Sequence, residues 1–126
     1  MKGVLNMNNL SQELNQFTGS FHYYQSTFGR LKLTDGIQYL RNIADCYWLI
    51  DIVESVQHFK RIKLNKRFIV WRIDVKDNKT FIVTAWNDTP YQSNKLYSQE
   101  GEYTDFPLDS FEFYQCNDVV LLKSEY

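Results

Sequence analysis

Residues 67–86 read Arg67-Phe68-Ile69-Val70-Trp71-Arg72-Ile73-Asp74-Val75-Lys76-Asp77-Asn78-Lys79-Thr80-Phe81-Ile82-Val83-Thr84-Ala85-Trp86. Ile69, Trp71, Ile73 and Val75 share one face, with Phe68, Val70, Arg72 and Asp74 opposite, and the second face turns polar toward its end. That period of two predicts a half-buried antiparallel strand. Lys76-Asp77-Asn78-Lys79 supplies the hairpin turn, because Asp and Asn tolerate positive φ and bond their own backbone. Thr80 to Trp86 is the returning strand, ended by Asn87-Asp88-Thr89-Pro90.

Toward the C-terminus the same pattern weakens and then returns. Lys95 to Gln99 adds a weak strand, and Glu100-Gly101-Glu102 turns the chain. Phe111 to Tyr114 and Val119 to Leu122 make a last hairpin around Cys116-Asn117-Asp118. Pro107 has no amide hydrogen, so Thr104 to Asp109 reads as an edge or a connection. Toward the N-terminus the period lengthens. Ile37, Leu40, Ile43 and Ala44 recur at helical spacing behind a Thr34 or Asp35 cap. Trp48, Leu49, Ile52, Val53 and Val56 continue the apolar face after a break at Asp45-Cys46-Tyr47, which favours two short helices over one bent one. Leu10 and Leu14 mark a further short helix over Asn9 to Gln16, and Phe21 to Tyr24 is strand-prone. The expected fold is α+β: a single domain over residues 9–126 behind a flexible leader, 1–8, with N-terminal helices packed on a mainly antiparallel sheet of about four to five strands.

The 126 residues are 44% hydrophobic and 17% aromatic, enough for one packed core. Nine Tyr, nine Phe and three Trp exceed what so small a core needs, so rings are expected at the surface. No apolar run approaches the ~18 residues that span a bilayer, and two distant cysteines fit a cytoplasmic, reducing setting. The net charge of −1 conceals a segregation. Residues 60–79 carry eight bases against Asp74 and Asp77, and residues 98–126 carry seven acids against Lys123. The plain reading is two solvated faces on opposite edges of one sheet, or two segments that pair with each other within the fold.

Little in the chain suggests chemistry. His22, Cys46, His58 and Cys116 show no ligand spacing, so neither metal nor cofactor is expected. There is no glycine-rich phosphate loop and no nucleophile elbow. No catalytic residue is assigned, and the sequence leans away from an enzyme. Asp35 and Asp105 read as cap or turn residues that form an acid–base pair only if they converge. Asp51 and Glu54 read as the wet face of the second helix.

Three stretches stand out as a set: Phe17-Thr18-Gly19 with Tyr23-Tyr24; Thr34-Asp35-Gly36 leading to Tyr47-Trp48-Leu49; and Tyr103-Thr104-Asp105-Phe106-Pro107-Leu108-Asp109 before Leu121-Leu122-Lys123-Ser124-Glu125. In this order they resemble an uncharacterised bacterial and phage family of the DUF6876 type, over roughly residues 9–126. The resemblance brings no assigned activity. It implies a small protein associated with phages or mobile elements, a setting where such proteins act by binding and blocking.

The expected function is therefore a non-enzymatic protein-binding module, an inhibitor of a bacterial defence system of the anti-CRISPR type. Its partner would be a protein, such as a nucleic-acid-binding effector complex whose basic groove accepts acids set among aromatics. The expected contact set is Tyr91, Tyr97, Glu100, Glu102, Tyr103 and Asp105, with the three tyrosines as exposed anchors. Two alternatives stand beside it. One is a small enzyme or ligand-binding domain using the cleft between helices and sheet. The other is nucleic-acid binding by Lys60, Arg61, Lys63, Lys66 and Arg67, disfavoured because the acidic C-terminal third would repel phosphate. Homodimerisation is left open, and no membrane partner is expected.

Overall fold

The computed structural model describes residues 7–19, 22–87 and 95–126. Helix α1 (Met7–Asn15) begins two residues before the expected helix start at Asn9, and α2 (Asp35–Ile43), α3 (Tyr47–Ser55) and α4 (Lys60–Asn65) follow. The strands are β1 (Tyr24–Gln25), β2 (Lys32–Leu33), β3 (Ile69–Val75), β4 (Phe81–Trp86), β5 (Lys95–Gly101), β6 (Ser110–Cys116) and β7 (Val119–Leu122), and Lys123–Glu125 closes the chain in a 3-10 turn.

They form one seven-stranded sheet in the order β1-β2-β7-β6-β3-β4-β5. This corrects the expected four to five strands in two ways. The two-residue strands β1 and β2 are too short to show a period. The sheet is also mixed, because β2 runs parallel to β7, Lys32 beside Val119 and Leu33 beside Val120. A parallel neighbour so distant in sequence leaves no local trace.

The hairpin β3–β4 pairs Val75 with Phe81 and Val70 with Trp86, as the period of two requires. Its turn differs in detail: Lys79, not Asp77 or Asn78, takes the positive φ of 70°. Asn78 contributes its side chain, accepting from the Thr80 amide at 3.1 Å. The Asp45 break between α2 and α3 has φ 52°. Phe21 and residues 88–94, including Pro90, lie outside the described residues.

Helices and sheet enclose one core. Ile69, Trp71 and Ile73 of β3 are fully buried with Val83, Ala85 and Phe113 beneath Ile37, Leu40, Leu49, Ile50 and Val53. Among the buried polar residues, Gln115 forms a side-chain network with Gln57 and Trp71. Gln115 is fully buried, accepts from Trp71 Nε1 at 3.1 Å, and exchanges amide bonds with Gln57 at 2.7 and 3.0 Å. Such a network is tolerated inside because each member is satisfied.

The opposite face of the sheet carries Arg72, which bridges Asp74 and Glu112 at 2.9 Å each. The Asp74 hydrogen bond is the main reason that its guanidinium is held above its ordinary value. Phe68, Tyr114 and Tyr126 pack there as a trio with centroids 4.8 to 5.3 Å apart. No helix among the described residues is long and apolar enough to cross a membrane.

Candidate functional site

Two ion pairs, Lys66–Asp118 and Arg72–Glu112, join the basic and acidic segments within the fold, as one half of the plain reading expects. The register corrects the other half, because the remaining charges separate between the two ends of the strands, not between the two edges of the sheet. One end holds the β3–β4 turn, the exit of β5 and the exit of β7. There stand Asp77, Glu100, Glu102, Asp105 and Asp109. The other end holds the entry of β3, the exit of β4 beside the entry of β5, and the β6–β7 turn. Arg67 and Lys95 emerge there, Arg30 and Lys32 stand beside the β6–β7 turn, and α4 reaches it through the Asn117 amide, which donates to the Lys66 carbonyl. Strand β3 carries the basic run across the sheet, so Lys76 and Lys79, counted with it in sequence, belong to the acidic end.

A cleft is built at the acidic end around Phe81 and Gly101, which are paired across β4 and β5. A β-carbon on Gly101 would overlap the Phe81 ring, so only glycine lets that ring lie across the strand. Trp48 of α3 meets the ring from the other side, at 4.9 Å and 51°. Two open hollows of about 440 Å³ each flank Phe81. Trp48, Ile52, Gln99, Tyr103, Thr104 and Asp105 line the first. Lys76, Thr80, Ile82, Glu100, Gly101 and Glu102 line the second.

The segment that caps the first hollow is fixed by Thr104. Its amide donates to the Lys79 carbonyl at 2.9 Å, and its hydroxyl accepts from the Phe106 amide at 3.1 Å. With Thr104, Phe106 and Leu108 buried beneath, the flanking Tyr103 and Asp105 point outward. Tyr103 is 70% exposed.

Of the expected contact set, Glu100, Glu102, Tyr103 and Asp105 come together here. Tyr97 does not stand out as an anchor. It is half-buried on the helix side of β5, 5.7 Å from Phe59 and 6.4 Å from Trp71. Tyr91 lies outside the described residues. Trp48, Ile52 and Phe81 were missed, since each also satisfies the core periodicity and so carries no separate signal.

At the basic end, Lys60, Arg61, Lys63 and Arg67 are exposed on or beside α4, and Lys66 pairs with Asp118 at 3.1 Å. Glu54 corrects its assignment to a wet face. It is buried, accepting from the Ser26 hydroxyl, from the Phe28 amide at 3.0 Å and from the Arg30 amide at 2.9 Å. Burial pushes its carboxyl up, but those three bonds and the Arg30 charge outweigh it and hold Glu54 below its ordinary value. Asp51 fits its assignment better, half-buried and accepting from the Thr27 hydroxyl.

The remaining titratable candidates stay apart. Cys46 is buried ahead of α3 with its thiol on the Leu40 carbonyl, whereas His58 follows the far end of that helix against Phe59. Asp35 opens α2 and does not line the cleft that holds Asp105. Burial pushes the Cys116 thiol up. Both cysteines are free thiols, and among the described residues no three His, Cys, Asp or Glu gather as metal ligands. What the cleft offers is aromatic faces, hydrogen bonds and carboxylates.

The motifs that carry the resemblance have structural work of their own. Thr34 caps α2, accepting from the Ile37 amide at 3.4 Å and donating to Glu125 at 2.6 Å. Glu125 also takes the Gly36 amide at 3.1 Å and the Leu122 amide at 3.0 Å. A β-carbon on Gly36 would overlap Leu122 and the Glu125 carboxylate. The Thr34-Asp35-Gly36 and Leu122-Lys123-Ser124-Glu125 stretches are thus two halves of one joint. No curated protein and no protein of solved structure is recognisably similar to the chain. Residues 8–126 match DUF6876, described as a family of unknown function, and the chain belongs to that family.

Proposed function

We propose that the protein is a binding module that holds a protein partner at the acidic end of its sheet, taking a lysine or arginine side chain of that partner into the first hollow. The observation that carries this is the placement of Tyr103 and Asp105, both exposed, over a hollow walled by Trp48 and Phe81. Aromatic faces attract a cation through their quadrupole, about 0.5–2 kcal/mol according to desolvation, and Asp105 supplies the counter-charge. Glu100 and Glu102 extend the negative field around the neighbouring hollow. Ionic fields of this kind steer a basic partner and set its register.

The partner that fits is a protein whose working surface is itself basic, such as a nucleic-acid-binding complex. Blocking such a groove is how an inhibitor of a bacterial defence complex, of the anti-CRISPR kind and borne by a mobile element, would act. An arginine-rich peptide titrated into isotope-labelled protein tests the site: the Trp48 indole and Tyr103 signals should move, and Tyr103→Ala with Asp105→Asn should weaken the response about tenfold or more. Shifts confined to other parts of the surface would sink the reading. The finer claim is tested by expressing the protein in cells whose CRISPR system restricts a phage; unchanged restriction, in cells where the protein accumulates folded, would remove it.

A further inference from the structure

We infer that the opposite, basic end of the sheet binds single-stranded nucleic acid, with Tyr23 and Tyr24 stacking on bases while Arg30, Lys32 and the cations of α4 meet phosphates. The site and its ligand are separate from the acidic cleft. The observation behind it is a groove of about 260 Å³, lined by Tyr23, Tyr24, Gln25, Gly29, Arg30, Leu31, Lys32 and Asp118. Tyr23 is 58% exposed and Tyr24 41%, and Phe28 on the adjoining loop is 76% exposed. Aromatic rings left in water beside cations have the composition of a stacking platform for unpaired bases. A duplex keeps its bases stacked inside and offers those rings nothing.

The groove continues into the basic helix through named contacts. The Lys32 amide donates to the Asp118 carbonyl at 2.7 Å, and the Asp118 carboxylate pairs with Lys66 directly after α4. The loop presenting Arg30 is tied down by three side-chain acceptor bonds. Glu54 takes the Phe28 and Arg30 amides, and the Ser26 hydroxyl accepts from the Leu31 amide at 3.0 Å.

Among the described residues, Asp118 is the carboxylate that lines the groove, and Glu54 and Asp51 hold the adjoining loop. Glu54 is buried within the loop, Asp51 accepts from Thr27, and Asp118 is neutralised by Lys66. In sequence, the acidic C-terminal third argues against phosphate binding. In the fold, Glu100, Glu102, Asp105 and Asp109 stand at the far end of the strands, so a backbone lying along α4 does not pass them.

Fluorescence anisotropy with a labelled oligonucleotide tests this, using DNA and RNA single strands, the matching duplex, and heparin as a polyanion without bases. Either single strand should bind at low salt, with a log–log salt slope near −2 for about three phosphates engaged. The duplex should bind more weakly. Tyr23→Ala with Tyr24→Ala should cost about tenfold or more from two lost stacking faces, and Arg30→Gln with Lys32→Gln should flatten the salt slope. Tyr103→Ala with Asp105→Asn, which should weaken the peptide response, should leave the oligonucleotide affinity and salt slope where they are, so the two readings fail separately. Photocrosslinking of the unaltered protein should map to Tyr23, Tyr24 or Phe28, whatever the tyrosine variants do to folding. No binding at low salt overturns the inference. So does heparin or duplex binding that matches the single strand, with crosslinks absent from the 23–28 segment.

Discussion

At the acidic end of the strands a cleft exists because Gly101 has no side chain, whereas at the basic end a groove exists because Glu54 has a charged one. Gly101 lets the Phe81 ring lie across β5, and the hollows on either side are the space left around that ring. Glu54 does the reverse, placing a carboxylate where the loop 26–31 has amides to satisfy. The first device is steric and fails by overpacking. The second is electrostatic and fails by leaving buried donors without a partner. The two ends should therefore break separately and by different amounts.

The largest effect is expected at Glu54. Glu54→Ala removes the acceptor of two amides and one hydroxyl, and each donor left dry costs about 1–3 kcal/mol. A total loss of about 3 kcal/mol or more should appear as a lower Tm, with faster amide exchange over residues 26–31. A loss below about 1 kcal/mol would show that water replaces the carboxylate and that the loop is not built on it. Gly101→Ala comes next, at about 1–3 kcal/mol for a forced shift of a packed ring. It should abolish the response to an arginine-rich peptide and leave nucleic-acid binding intact. If Gly101→Ala instead disturbs both ends equally, the two ends are coupled through the sheet and do not act independently.

Acid sharpens the contrast further. Because Glu54 is held below its ordinary value, its share of the stability is present above about pH 4.5 and is lost as the pH falls through its folded value. Glu54→Gln has no carboxylate to protonate. Thermal melts taken between about pH 3 and pH 7 should therefore show a shallower acid limb in the variant than in the unaltered protein. Parallel limbs would mean that other carboxylates govern acid unfolding.

How much of this the sequence shows depends on whether a feature is local. The hairpin of residues 69–86, the break at Asp45 and the last hairpin follow from period and turn chemistry within about ten neighbours. The β2–β7 pairing does not, since Leu33 and Val120 are neighbours in the sheet but far apart in sequence. Glu54 was misplaced for the same reason: on its own helix it sits beside polar Asp51 and Ser55, and what buries it is a loop 24 to 28 residues away. At the acidic end the sequence brings out Tyr103, Asp105, Glu100 and Glu102 because they are polar or aromatic and close in the chain. It cannot bring out Trp48 or Phe81, whose side chains serve core and cleft together. The charge segregation is visible in composition, but its direction is not, because a strand moves a run of residues from one end of the sheet to the other.

The smallest effect expected on stability belongs to Asp118→Asn, and it tests the basic end by sign. The Lys66–Asp118 pair is exposed on both sides. Ion pairs in that setting contribute about 0–1 kcal/mol, so the Tm should hardly move. The electrostatic consequence is larger than the structural one. Asp118 is the carboxylate that lines the groove between Arg30, Lys32 and α4, and removing its charge frees Lys66 to meet phosphate. Single-strand affinity at low salt should rise severalfold and the salt slope steepen by up to about one. Lowered affinity with an unchanged melt would mean that Asp118 orients Lys66 for binding instead of neutralising it, and a null result in both would place the phosphate path away from this groove.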